Sequence, residues 1–190
     1  MKKVWKRVLP LLLAISLLAM TVTVAAVNDD KLTVTIEKAT KEDGKYIVPV
    51  SISNIDEKGI GSLGCVVKYD TLALTLTAVE TSKDGVQGGI ASGMPAINVP
   101  QNKIGWISTA SLKDGTMFWL VFEAKDPVIN ASYPVTIAAS GKTMFSTAEL
   151  PSVQISDDNV EIVSGSVDVT GGLDASELTP VVTVSGKTDY

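Results

Sequence analysis

From Leu32 onward the chain alternates apolar and polar residues with a period of two. Leu32-Thr-Val-Thr-Ile-Glu-Lys38 is the first such run, and its β-branched residues suit a pleated, half-buried strand. Ala39 to Gly44 turn the chain through Lys-Glu-Asp-Gly. Tyr46 to Asn54 then alternate again, with Ile47, Pro49, Ser51 and Ser53 on one face and Val48, Val50 and Ile52 on the other. Proline cannot donate to a ladder, so Pro49 predicts an edge position or a bulge. A third strand is predicted from Gly61 to Tyr69 and, after a turn at Asp70 and Thr71, a fourth from Leu72 to Glu80.

Thr81 to Pro95, rich in glycine and serine, reads as the longest loop. Two strands follow, Ala96 to Val99 and Lys103 to Ala110. Gly115 to Ala124 is the most apolar run of the domain and predicts a central strand buried on both faces. Tyr133 to Ala139 and Val160 to Thr170 complete about nine strands. Strand-sized pieces recur roughly every ten residues, and no run past the first 26 residues places apolar side chains at i, i+3, i+4 and i+7. The fold class is all-β, a sandwich.

The first 26 residues follow a different rule. Lys2, Lys3, Lys6 and Arg7 precede an apolar run from Val8 to Met20 and a small-residue exit at Val24-Ala25-Ala26, which is the pattern of a secretory signal peptide. The apolar stretch is shorter than the about 20 residues that a membrane helix needs. The expected organisation is a signal peptide over 1–26, a sandwich over 27–170 and a linker-like tail over 171–190, with the mature protein secreted or at the cell surface.

Removing the leader sharpens the charge. The whole chain has 16 basic and 21 acidic residues, net −5; the leader holds four of the basic residues and no acidic one, so the remainder carries 12 lysines, no arginine and a net charge of −9. Nucleic acid and anionic membrane surfaces, which need clustered Lys and Arg, are disfavoured partners. The single cysteine, Cys65, has no disulfide mate within the chain, and its place in an alternating strand predicts burial.

Catalytic signatures are scarce. The chain has no histidine, which removes the commonest general base and zinc ligand together with Ser/His/Asp and Cys/His nucleophile systems. Ser156-Asp157-Asp158-Asn159 lacks the turn glycine and closing glutamate of a calcium loop. Asp168 to Glu177 lacks the corresponding order too. No enzyme activity, cofactor or metal is expected. Trp119 is expected in the core. Trp106 is open to two readings, a core residue or an exposed aromatic on a partner surface.

Several pieces in order resemble a cohesin, the module with which cellulosome scaffold proteins capture dockerin-bearing enzymes. They are Leu32-Thr-Val-Thr-Ile, Val48-Pro-Val-Ser-Ile-Ser-Asn, Gly59-Ile-Gly-Ser-Leu and Lys68-Tyr69-Asp70, then Asn102-Lys103-Ile104, Asp114-Gly115, Tyr133-Pro-Val-Thr-Ile137 and Gly165-Ser-Val-Asp-Val169. The resemblance implies a nine-stranded jelly-roll β-sandwich whose partner is a dockerin-containing protein. It also implies a docking face built from Ser62, Gly64, Val66 and Lys68 on the third strand, with Ile97, Val99, Trp106, Ser108 and Ala110 on the fifth and sixth. Leu63, Cys65, Val67 and Tyr69 would turn to the core. The family often places Asn and Asp where this chain has Ser62 and Gly64, which implies an altered dockerin specificity or its loss. The alternative on the same scaffold is a carbohydrate-binding module, which needs two or three aligned aromatic rings; Trp106, Tyr46 and Tyr133 are its candidates.

Overall fold

Pro49, the residue that looked out of place in a strand, lies in the middle of a sheet. In the computed structural model, which describes residues 31–126, 128–174 and 176, thirteen of fifteen strand segments form two packed layers of six and seven strands, and the other two make a separate hairpin. The expected signal peptide over 1–26 and most of the tail over 171–190 lie outside the described residues. In chain order the strands are β1 (Leu32–Ile36), β2 (Thr40–Glu42), β3 (Lys45–Ser53), β4 (Ile60–Lys68), β5 (Leu74–Glu80), β6 (Ser82–Lys83), β7 (Val86–Gln87) and β8 (Met94–Asn98). There follow β9 (Lys103–Leu112), β10 (Gly115–Ala124), β11 (Ala131–Ala139), β12 (Phe145–Thr147), β13 (Gln154–Ile155), β14 (Val160–Val163) and β15 (Gly165–Val169). Nine of them have five residues or more.

One layer runs β14-β1-β3-β10-β5, with β2 also beside β3. β1 pairs with Val50 to Ser53 and β2 with Lys45 to Ile47 along the same edge of β3. Pro49 faces the gap between them. Its carbonyl accepts from the Glu37 amide on that side, so the proline ring sits where no ladder donor is required. In the second layer β4 is central. One edge of β4 pairs with β9, which continues to β8, and its other edge is shared by β11 and β12, which lead to β15 and β13.

The core fills the space between the layers, and alternation decides who enters it. Tyr46, Val48, Val50 and Ile52 of β3, Leu63, Cys65 and Val67 of β4, and Phe118, Leu120 and Phe122 of β10 all point inward and are buried. Tyr69 packs edge-on to Phe122, with centroids 5.0 Å apart, while its hydroxyl donates to Asn102 Oδ1 at 3.1 Å. The half-buried aromatic thus has its polar end satisfied.

β10 is buried on both faces, as its composition predicts. On the outer face Trp119 and Val121 join Ile47 in a second, small apolar cluster with Ala78 packed against it. Trp119 is therefore buried, but outside the main core. Lys83 Nζ bonds Glu42 Oε2 at 2.6 Å and Asp84 Oδ2 at 2.9 Å. Glu42 lies beyond β3 and Lys83 follows β5 beyond β10, so this ion pair reaches across the outer surface of both central strands. The Glu42 and then Asp84 hydrogen bonds hold the Lys83 ammonium protonated above the ordinary lysine range.

Three sequence expectations are corrected here. Leu72 is exposed and the fourth strand begins at Leu74, because Asp70 Oδ1 accepts from the Leu72 and Ala73 amides and makes a turn first. The Thr81 to Pro95 loop contains the β6–β7 hairpin and a 3-10 turn, Gly89–Ser92, that delivers Ile90 into the core. The run from Val160 to Thr170 is two strands: β14 pairs in parallel with β1 in one layer, and β15 pairs with β11 in the other. Pairing also extends past Thr170, since the Leu173 amide donates to Val128 and its carbonyl accepts from Asn130.

Gly165 makes the crossing possible. A Cβ there would stand 2.2 Å from the Glu37 carbonyl oxygen and 2.7 Å from that of Ile36, both backbone atoms that cannot swing aside. Gly165→Ala is expected to cost about 1–3 kcal/mol by overpacking, read as a lowered thermal midpoint; an unchanged midpoint would show that the crossing tolerates a side chain.

Candidate functional site

β4 lays out the site. Ser62, Gly64 and Val66 are half-buried and Lys68 is exposed, all on the outward face, while the intervening Leu63, Cys65 and Val67 are buried. This is the alternation read from the sequence. The ladder sets three rows across the sheet. Ser62 sits between Ile107 of β9 and Ser146 of β12, with Met94 and Gln154 next outward on either side. Gly64 is paired with Gly105, and Gly105 with Ala96. Val66 is paired with Lys103 and Ala138, and Lys103 with Asn98.

The result is a low floor with a raised apolar corner. Ser62 Oγ and Ser146 Oγ are 2.5 Å apart and satisfy each other. Gly64 exchanges backbone bonds with Met144 and Ser140, and a Cβ at position 64 would lie 3.0 Å from Ser140 Oγ. A shallow groove of about 470 Å³ runs over Ser62, Gly64 and Ser146, walled by Ile107, Ser152 and Gln154. Met94 and Ile107, cross-strand partners, are 66% and 53% exposed. Such exposure of two adjacent large apolar side chains on a sheet is unusual for a solvated surface and suits a partner.

The remaining expected residues are not on this face. Trp106 is 1% exposed and packs in the core beside Gly93, where a Cβ would come 2.3 Å from the indole Nε1. Ile97 and Val99 are half-buried against the same core. The reason is parity: the charge of Lys103 and the amide of Asn98 hold those residues in solvent, so Ile104, Trp106 and Ile97 must turn inward. Ser108 and Ala110 fall in a bulge, since Ser62 pairs with Ile107 but Ile60 with Leu112. The Ala110 amide bonds Ser108 Oγ, and Ser111 Oγ accepts from the Ile60 amide. On β8 and β9 the residues that do share the outward face with Ser62, Gly64, Val66 and Lys68 are Met94, Ala96, Asn98, Lys103, Gly105 and Ile107.

Chemistry beneath the face is inert. Burial pushes the Cys65 thiol up to about 12. A thiol held neutral in the fold and ionising at about 8.5 when exposed contributes stability below that pH, lost as pH rises towards 12. Native protein at pH 8 is expected to resist a thiol-selective disulfide reagent and to react with one equivalent once denatured; prompt reaction of the native form would contradict the burial. Among the described residues no three His, Cys, Asp or Glu side chains gather as a metal site, and no helix is long and apolar enough to cross a membrane.

No family model and no curated protein matches this chain. Solved structures do. A type I cohesin from Clostridium thermocellum, solved as the Coh-OlpA-Doc918 complex, is 21% identical, covers 74% of this chain and 99% of its own, and superposes with a TM-score of 0.53. The sixth cohesin of scaffoldin B from Acetivibrio cellulolyticus, solved with a Cel5 dockerin, gives 20% identity, 74% and 99% coverage, and a TM-score of 0.55. The seventh ScaB type I cohesin from Pseudobacteroides cellulosolvens gives 21%, 82% and 99%, and 0.55. At this identity the likeness is one of architecture: the chain has the jelly-roll β-sandwich fold of the cohesin modules.

Proposed function

We propose that this chain is an exported, non-catalytic receptor module that captures dockerin-bearing proteins on the outward face of the sheet centred on β4. The observation that carries the reading is the contiguity of that face: exposed Met94 and Ile107 adjoin the small floor of Ser62, Gly64 and Gly105, with Val66 beyond. Apolar anchors around a flat centre, rimmed by polar groups, are what a protein interface requires. The shared fold supports it, since two of the solved cohesins were captured with dockerins. Ser62 and Gly64 offer shorter groups than the Asn and Asp common in cohesins, so a dockerin here is gripped more by apolar contact than by side-chain hydrogen bonds.

The carbohydrate-binding alternative draws no support from the aromatics. Trp106 and Tyr46 are both buried, so of the three candidate rings only Tyr133 reaches the surface, and one ring does not make an aligned strip for a sugar chain. The experiment is capture of dockerin modules from the same secretome by the immobilised protein, with Val66→Asp alongside. Val66 is only half-buried, so the variant is expected to fold and to lose capture. Retention on cellulose or starch with no dockerin captured would overturn the proposal.

A further inference from the structure

The charges on this face run opposite to those of the chain. Outside its leader the chain carries net −9 from 12 lysines and 21 acidic residues, yet the outward strand positions at the centre of the sheet bear only Lys68 and Lys103. Lys103 is the cross-strand partner of Val66 and Lys68 stands two residues further along β4, so they are diagonal neighbours, about 7–8 Å apart at the backbone. Both are exposed, and among the described residues neither forms an ion pair.

The carboxylates that could answer them are engaged elsewhere. Asp168 shares this face but on the far edge strand β15, where Lys38 Nζ at 2.5 Å and Ser132 Oγ at 2.6 Å hold it. Asp70, two residues on from Lys68, turns its Oδ1 to the Leu72 and Ala73 amides and makes no ion pair among the described residues. Thr136 and Asn98, the cross-strand neighbours of Lys68 and Lys103, are neutral. Two like charges are thus held side by side, and among the described residues neither is ion-paired, a juxtaposition that an incoming anion relieves.

We propose that this face selects an acidic partner, a polypeptide surface that sets Asp or Glu side chains against Lys68 and Lys103 while its apolar residues meet Ile107 and Met94. The inference rests on the docking role proposed above. In a chain of negative net charge, a local positive pair repels basic competitors and fixes the end of the sheet at which the partner's carboxylates land.

The test sorts a yeast-displayed library of dockerin modules of varied surface charge on the full-length protein. Enrichment of modules with acidic residues on their contact helix supports the proposal. Enrichment of neutral or basic modules overturns it while leaving dockerin capture intact, and absence of any enrichment overturns both. For an enriched acidic module, the Lys68→Glu/Lys103→Glu protein is expected to associate at least tenfold more slowly at low salt. The difference should shrink as salt is raised. Both substituted positions are exposed, so the thermal midpoint should hold; equal association rates with a retained midpoint would overturn the proposal.

Discussion

Trp106→Ala is expected to cost about 3–5 kcal/mol of folding stability, the range for deleting a large buried aromatic. The side chain is 1% exposed, its strand neighbour is buried Leu63, and Gly93 closes the space over its indole. With a urea slope of about 2 kcal/mol per M, the midpoint should fall by about 2 M at unchanged slope. Trp106→Phe should recover part of that loss. Its ring fills most of the volume, and it removes an indole N–H that finds no acceptor among the described residues, a burden of about 1–3 kcal/mol when buried. A midpoint shift for Trp106→Ala below about 0.5 M would contradict the core assignment. Any loss of partner capture by this variant reports unfolding, which is why it is no test of the interface.

Ile107→Asp is the converse case. Ile107 is 53% exposed, stands between Ser62 and Met94, and walls the groove over the serine pair. A surface substitution of this kind should shift stability by no more than about 0.5 kcal/mol. At a docking face it places a desolvated carboxylate where an apolar anchor belongs, and loss of such an anchor costs about 2 kcal/mol or more of binding, roughly thirtyfold in affinity. Calorimetric titration with a captured dockerin reads the affinity and urea unfolding reads the stability. Affinity unchanged by Ile107→Asp would remove the apolar corner from the interface.

These two residues, one apart in sequence, also show what the sequence made legible. On β4 the two faces are legible because Ser62 and Lys68 mark one and Leu63, Cys65 and Val67 the other. On β9 the segment Ile104 to Ala110 offers tryptophan, isoleucine, glycine, serine, threonine and alanine, none of which is barred from either face. The one informative residue was Lys103: a lysine cannot be buried without a partner, so positions of its parity face water and Ile104 and Trp106 face the core. Asn98 does the same for β8. The bulge between Ile107 and Leu112 had no such marker, because a register jump depends on how β4 and β9 meet across the sheet. Nor did local sequence announce that Val160 to Thr170 divides between two layers. That division is settled by which neighbours are available, β1 for one half and β11 for the other, and only Gly165 hints at it.

The passage from β14 to β15 bears on how the molecule comes apart. One short peptide, hinged at Ser164 and Gly165, is stitched to the first strand on one side and to β11 on the other. Neither sheet can peel away without tearing that stitch, so the two halves of the sandwich should melt in a single cooperative event, and a bound partner that steadies one wall thereby steadies the opposite one.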